Sequence, residues 1–270
     1  MSAGARYAAL FGRLAARGEA AFVPFAVLGD PDPRTSVEVV RTLARAGGDA
    51  LELGIPFSDP VADGPAIQAA DRRALEAGTR VEDAWEVVTA IRAEFPEHPI
   101  GLLVYANLVL RRGAAAFYAR AAAAGVDSVL VADAPVLESA PFERVAAAHG
   151  IAPVLIAPPN ADRVRLAAIA ARSRGFVYVV SRPGVTGADE DLHSAAVPVI
   201  AHLRALGSAP PLVGFGVSTP EHVRRAVAMG AAGAIAGSAV AARIGRHSGE
   251  RPRLLAAVGE FVGTMKRSTG

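Results

Sequence analysis

The sequence predicts a closed (β/α)8 barrel of the TIM type with one extra helix at its N-terminus. Eight short apolar runs are spread along the 270 residues, and a helical or helix-like pattern follows each of them. This alternation is typical of a parallel sheet, and eight such units in about 250 residues favour closure into a barrel. An open, doubly wound sheet is the alternative. Because no linker or internal repeat is visible, we expect residues 1–270 to form a single domain.

The strands are predicted from mainly apolar runs of three to seven residues that are flanked by Gly, Pro, Asp or Ser. Taken in order, they cover residues 22–28, 50–53, 100–105, 128–132, 153–156, 176–180, 211–214 and 234–236.

The helices are predicted from apolar residues at helical spacing and from residues that favour helix ends. In order, they cover residues 3–17, 35–46, a segment from Pro65, 81–95, 113–124, 139–150, 161–172, 196–206, a segment from Pro220, and 252–266. We expect N-caps at Thr35 or Ser36, at Asn160, and at Ser218 or Thr219. Gly237 and Ser238 are expected to open a helical turn.

The stretch 50–65 carries the clearest sign of chemistry. Glu52 lies inside a buried strand, where a carboxylate is costly unless it has a partner or a task. Strand alternation points it away from Leu51 and Leu53 and into the barrel mouth, where desolvation should raise its pKa. Active sites of such barrels lie at this end, so Glu52 is a candidate for proton transfer. A structural hydrogen-bond or ion-pair network is the alternative.

Asp63, in the loop after the same strand, is the second candidate. Since Gly and Pro follow it, a role as a helix cap or turn former explains it equally well. Asp59, which precedes Pro60, is typical of a turn or a loop anchor.

Glycine-rich segments at the ends of the last three strands predict a site for a phosphate ester. Glycine lets backbone amides approach an anion, and a helix N-terminus adds a favourable dipole. Phosphate sites after strands seven and eight recur in this architecture, although turns also need glycine. The segments are Gly184-Val-Thr186-Gly187, Gly214-Phe215-Gly216 and Gly237-Ser238.

Several large side chains on the strands could line an apolar pocket, although plain barrel core is the alternative for each. Tyr178 has the best claim to polar chemistry, because a buried phenol requires a hydrogen-bond partner. The set comprises Phe25, Leu103, Tyr105, Ile156 and Tyr178.

Composition excludes other chemistries. The net charge is only +2 and the arginines are scattered, so nucleic-acid binding is not expected. No segment suits a membrane span or a secretion signal, which makes the cytoplasm the expected location.

With no Cys and six isolated His, no metal site is expected. Lys266, the only lysine, lies beyond the last strand, which excludes a Schiff base and leaves acid–base catalysis by carboxylates.

The segment 21–31 and the stretch Glu-Leu-Gly-Ile-Pro-Phe-Ser-Asp-Pro-Val-Ala-Asp-Gly-Pro at 52–65 resemble the tryptophan synthase alpha subunit family. The resemblance covers nearly the whole chain. It implies a lyase of tryptophan biosynthesis that cleaves indole-3-glycerol phosphate to indole and glyceraldehyde 3-phosphate in a retro-aldol reaction.

The resemblance also implies roles for single residues. Glu52 would protonate the indole C3 and take the hydroxyl proton of the side chain, while Asp63 would accept the indole N–H. Tyr178 would lie near the reacting centre. The matching indole pocket comprises Phe25, Leu103 and Ile156, and the matching phosphate site comprises Gly187, Gly216, Gly237 and Ser238.

By the same resemblance, the loops 56–63 and 181–195 would close over the substrate, with Thr186 bonded to Asp63. Pro183 departs from the family pattern and would stiffen the second loop. The residues expected to face a partner beta subunit, in an alpha2-beta2 tetramer, are Asp59, Pro60, Asn107 and Pro135. That partner would hold pyridoxal phosphate, whereas this chain would hold no cofactor.

Three alternatives stay open at this point: a stand-alone lyase that supplies free indole to secondary metabolism, a catalytically inactive activator of a beta subunit, and another phosphate-sugar isomerase or aldolase on the same barrel.

Overall fold

The computed structural model describes residues 4–180, 195–214 and 216–270. Within these ranges the strands are β1 (Ala21–Val27), β2 (Leu51–Gly54), β3 (Ile100–Val104), β4 (Ser128–Val131), β5 (Ala152–Pro153), β6 (Leu155–Ala157), β7 (Val177–Val180), β8 (Pro211–Gly214) and β9 (Gly233–Ala236). All pairings between them are parallel, in the order β5-β4-β3-β2-β1-β9-β8-β7-β6.

The sheet closes at the fifth predicted strand, which the structure divides into β5 and β6. Strand β5 pairs with β4, whereas β6 pairs with β7. Only Val154 separates the two pieces, and its amide donates to the Val129 carbonyl at 3.1 Å. The two ends of the sheet therefore meet at one point of the chain, which confirms the barrel and excludes the doubly wound alternative.

The helices of the described ranges surround this sheet. They are α1 (Ala5–Ala16), α2 (Pro33–Arg45), α3 (Pro65–Glu76), α4 (Val81–Glu94), α5 (Ala106–Leu110), α6 (Ala114–Ala124), α7 (Ala140–Ala148), α8 (Arg163–Arg172), α9 (Ala196–Ala205), α10 (Pro220–Ala228), α11 (Ser238–Arg246) and α12 (Arg251–Lys266). The sequence did not indicate the short helix α5, and it indicated only a turn where the nine-residue α11 lies.

Two predicted helix caps are wrong, because an aspartate takes the capping position in each case. Asp32, rather than Thr35 or Ser36, caps α2 by accepting the Arg34 and Thr35 amides at 3.0 Å. Asp162, rather than Asn160, caps α8. At α10 the cap is Thr219, one of the two predicted residues.

The N-terminal helix α1 packs across the amino ends of the strands. Its Tyr7 hydroxyl lies 2.9 Å from Ser128 Oγ at the start of β4, and Arg6 pairs with Asp127 at 2.7 Å. Tyr7 belongs to the inner core, which is the cluster of buried side chains inside the barrel that also contains Phe25 and Tyr178. Because α1 covers this end, the carboxyl ends of the strands are left for a site.

No helix in the part of the chain that the structure describes combines the length and apolar character needed to cross a bilayer.

Candidate active site

A cavity of about 380 Å³ opens at the carboxyl ends of the strands. It brings both candidate carboxylates together with apolar strand residues and with glycines from the last strands. Its lining includes Phe25, Glu52, Asp63, Ile67, Leu103, Tyr178, Gly216, Val217, Ser218, Ile235, Gly237 and Ser238.

Glu52 is buried inside the barrel, with 3% of its surface exposed. Its neighbours Leu51 and Leu53 belong to the outer core, the cluster of buried apolar side chains that the strands share with the surrounding helices. The strand therefore alternates as predicted. Its Oε2 is buried and has no hydrogen-bond partner among the described residues. Desolvation, and secondarily the nearby charge of Asp63, raises the pKa of Glu52 to about 8. A carboxyl with such a pKa can both give and take a proton near neutral pH.

Asp63 accepts a hydrogen bond from Tyr105, the residue that directly follows the next strand, β3. The Tyr105 hydroxyl donates to Asp63 Oδ2 at 2.7 Å and accepts from the Ala62 amide at 3.1 Å. Burial raises the pKa of Asp63, and the bond from Tyr105 offsets part of this rise. The helix-cap explanation fails, because the N-cap of α3 is Gly64 and no side chain caps that helix end.

Two glycines make room for the large aromatic side chains of the cavity. A Cβ at Gly214 would lie 2.1 Å from the hydroxyl oxygen of Tyr178, so β8 must carry glycine there for the phenol to fit. A Cβ at Gly54 would lie 2.9 Å from the ring of Phe25. Gly214 itself is not part of the cavity wall, and its effect on the site passes through Tyr178.

The opposite end of the cavity suits an anion. Gly237 is the N-cap of α11 without a side-chain capping bond, and the first turn of that helix carries no acidic residue. Gly216 has a φ of 81°, a backbone conformation that favours glycine. Backbone amides at a helix N-terminus, with the helix dipole behind them, attract phosphate groups.

Some predicted residues lie elsewhere. Ile156 is half-buried against the inner core but does not line the cavity. Tyr105 also lies outside the cavity wall and reaches the site only through Asp63. Thr186, Gly187 and Phe215 lie outside the described residues, as does Pro183.

Eight lining residues were not predicted as site residues, namely Pro65, Ala66, Ile67, Val217, Ser218, Ile235, Ala239 and Ala242. Ile235 could have been found from strand alternation, because it lies in the middle of the predicted last strand. Ile67, Val217 and Ser218 follow strand ends in a helix and a loop, where no periodic signal marks them.

The residues expected at a partner interface lie on the segments that follow β2, β3 and β4, which are a loop, the short helix α5 and a second loop. Asp59, Asn107 and Pro135 are exposed, and Pro60 is partly buried. The same segments expose large apolar side chains, with Val61 at 73%, Leu110 at 55% and Leu137 at 78%. We call these seven residues the β2–β4 rim.

Among the described residues, no group of three or more His, Cys, Asp or Glu side chains could hold a metal ion.

Comparison with known proteins gives one consistent family. The sequence profile described as tryptophan synthase alpha chain matches residues 11–270. The tryptophan synthase alpha chain of Shewanella oneidensis is 54% identical over 264 residues, which cover 98% of this chain and 95% of that protein. Among solved structures, Mycobacterium tuberculosis tryptophan synthase matches with a TM-score of 0.86 at 31% identity, covering 98% of each chain. The Pyrococcus furiosus tryptophan synthase a2b2 complex matches with a TM-score of 0.83 at 34% identity, covering 92% of this chain and 98% of that one.

Proposed function

The chain belongs to the tryptophan synthase alpha chain family, and we propose that Glu52 and Asp63 carry out the chemistry of that family in the 380 Å³ cavity. Members of the family are lyases of tryptophan biosynthesis that cleave indole-3-glycerol phosphate into indole and glyceraldehyde 3-phosphate. Relatives at 50–54% identity, all named as alpha chains, favour this role over a stand-alone lyase. The observation that carries the residue roles is the buried Glu52, whose Oε2 has no hydrogen-bond partner in the described part of the chain, while Asp63 lines the same cavity.

In the proposed reaction Glu52 first donates its proton to C3 of the indole ring. The ring then carries positive charge on its N–H group, which the Asp63 carboxylate stabilises by accepting a hydrogen bond. Glu52, now ionised, removes the proton of the hydroxyl group on the adjacent side-chain carbon. The C3–carbon bond breaks, its electrons restore the indole double bond, and the side chain leaves as an aldehyde. Glu52 ends protonated, so no net proton is consumed.

The cavity also accounts for both ends of the substrate. The ring would lie among Phe25, Leu103 and Tyr178, next to the carboxylates. The phosphate would lie at the start of α11, against Gly237 and Ser238. By the family resemblance, Gly187 would complete the phosphate site and Thr186 would bond Asp63, although both lie outside the described residues.

We propose that the β2–β4 rim docks on a beta subunit in an alpha2-beta2 complex. The Pyrococcus furiosus neighbour is described as an a2b2 complex. Exposed apolar side chains on adjacent segments after the strands, such as Leu110 and Leu137, are typical of an interaction surface. The beta subunit would hold pyridoxal phosphate, and this chain would hold none. A cytoplasmic location agrees with biosynthetic chemistry and with a chain that lacks cysteine.

Turnover of indole-3-glycerol phosphate by the purified chain tests this function. Glu52→Gln and Asp63→Asn should lower kcat by about a hundredfold or more, because each removes a group that acts on the ring. The matched control is Glu76→Gln, an exposed carboxylate on α3. Cleavage by Glu52→Gln at the wild-type rate would refute its role.

The same assay with and without a beta subunit separates the two lyase hypotheses. Stimulation by the beta subunit is expected for an alpha chain, whereas full activity alone would favour the stand-alone enzyme. Detectable turnover also excludes an inactive activator.

A further inference from the structure

Asp71 is a buried carboxylate for which the proposed chemistry has no use. It lies on α3 with 5% of its surface exposed, beneath the loop 55–64 that joins β2 to α3. Its Oδ1 accepts the Phe57 amide at 3.2 Å. Because burying a carboxylate in a protein interior is unfavourable, a position on a helix surface would be the ordinary place for such a residue.

The loop above Asp71 contains no helix or strand and depends on side chains for its position. Asp71 holds it near its start, at Phe57. Tyr105 holds it further on, at the Ala62 amide, and Gln68 donates to the Asp63 carbonyl at 2.8 Å. Of the three loop positions held in this way, Phe57 lies farthest along the chain from Asp63.

A continuous set of contacts connects Asp71 to Asp63. The Phe57 ring stacks on the Tyr105 ring, with centroids 5.2 Å apart and planes inclined by 23°. The Tyr105 hydroxyl in turn donates to Asp63 Oδ2. A shift of Phe57 would therefore remove the support behind the side chain that orients the carboxylate.

The helix that carries Asp71 is itself firmly placed. Ile67, Ala70 and Ala74 are buried in the inner core. Arg73, two residues further along α3, makes two hydrogen bonds of 2.8 Å to Asp30 in the loop after β1. Asp71 thus projects from a fixed element onto a segment without regular structure, which is the arrangement that a supporting residue requires.

We propose that Asp71 is a positioning residue for the lyase reaction: it fixes the Phe57 amide, and through Tyr105 it holds the Asp63 carboxylate where the indole N–H binds. The inference rests on the role proposed for Asp63 and extends that role to a residue outside the cavity wall.

The function of Asp71 lies in its acceptor oxygen, not in its charge. Burial raises the pKa of Asp71 to about 7, and Asp63 and Asp30 add to the rise. Asp63 faces Asp71 from the loop, and Asp30, with its partner Arg73, faces it from the end of β1. Since both the neutral and the ionised carboxyl can accept the Phe57 amide, an asparagine at this position should do the same.

Kinetics of Asp71→Ala and Asp71→Asn test the proposal. Asp71→Ala should lower kcat by about ten- to a hundredfold with KM changed less than about threefold, as expected when a reacting group is misplaced. Asp71→Asn should stay within about threefold of wild type. Glu76→Gln, on the same helix but exposed, is the control and should match wild type.

Two further measurements separate a positioning role from a merely structural one. The Phe57 amide should be protected from hydrogen exchange in the wild type and in Asp71→Asn, but exchange at least about tenfold faster in Asp71→Ala. In an Asp63→Asn background, Asp71→Ala should reduce the residual kcat by less than about twofold, because its effect passes through Asp63.

Equal losses in Asp71→Asn and Asp71→Ala, an unchanged kcat in folded Asp71→Ala, or full additivity with Asp63→Asn would each overturn the proposal. Rapid exchange of the Phe57 amide in the wild type would do so even if Asp71→Ala failed to fold. Wild-type turnover by Asp63→Asn is a separate result, which would instead refute the role of Asp63 itself.

Discussion

The Tyr105 hydroxyl, on the residue that follows β3, donates its hydrogen bond to the Asp63 carboxylate in the loop after β2. This bond favours the ionised form of Asp63 and partly offsets the rise in pKa that burial causes. The segments that follow two neighbouring strands are thus joined by a bond that favours the charged form of a desolvated carboxylate. The charged form is the one proposed to accept the indole N–H.

Tyr105→Phe should therefore raise the pKa of Asp63 further. Because Asp63 must be ionised to act, the acidic limb of the kcat/KM profile should move to higher pH, so that kcat/KM falls most at the acidic end of the profile. The profile is measured from about pH 5 to 9 with indole-3-glycerol phosphate. An unchanged acidic limb would show that the bond does not control the ionisation of Asp63.

Glu52→Gln should change how stability depends on pH. In the unfolded chain Glu52 ionises near its ordinary pKa of 4.5, whereas in the folded chain its pKa is about 8. Between these values the unfolded state binds fewer protons, so this residue makes the wild type less stable as pH rises.

The variant lacks this effect, and its stability relative to wild type should increase from pH 5 to pH 8 by an amount on the order of a few kcal/mol. Denaturant unfolding at several pH values measures it, with Glu76→Gln as the control. A difference between variant and wild type that does not vary with pH would contradict the raised pKa.

Gly237→Ala should weaken substrate binding more than catalysis. A Cβ there would approach the Phe25 ring to 3.1 Å at the start of α11, where the phosphate is proposed to lie. We expect KM for indole-3-glycerol phosphate to rise about tenfold while kcat changes less, since the phosphate takes no part in bond cleavage. Gly249→Ala is the matched control, because its Cβ would meet no atom within 4 Å. A rise in KM of the same size in both variants would remove the argument for this site.

Leu137→Glu should weaken association with a beta subunit by about tenfold or more, because it places a charge in an apolar contact. The control is Val164→Glu, which alters an equally exposed apolar residue, 81% accessible, on α8 and outside the β2–β4 rim. Titration calorimetry gives Kd for both variants, and thermal unfolding checks that each is folded. Equal affinities would place the interface elsewhere.

The fold was predictable because its signals are local and repeated. Strand runs and helix spacing recur along the chain, so errors at single ends did not change the topology. The cap of α2 was misplaced because Pro33 already occupies the first turn, which moves the cap back to Asp32. The break at Val154 left no mark on the sequence, since it depends on how the ring of strands closes.

The candidate site was predictable where burial and residue type disagree, as at Glu52. It was not predictable where the effect of a residue passes through another one. The sequence suggested that Gly214 belongs to an anion site. In the structure, its missing side chain instead leaves room for the Tyr178 phenol. Asp71 lies on the buried face of α3, four residues after Ile67 and three before Ala74, but its residue type is that of a solvent-facing position, and the loop bond that it accepts is seen only in the structure.

The break at Val154 has a mechanical consequence. The proposed catalytic carboxylates, Glu52 and Asp63, belong to the part of the ring from β1 to β5, whereas Gly237 and Ser238 follow β9 on the other part. A molecule bound at both ends would add a link between these two parts of the ring, which are also joined by the β1–β9 pairing, by Val154, and by the packing of α2 on α12 and of α3 on α11. Its departure after cleavage would remove that added link.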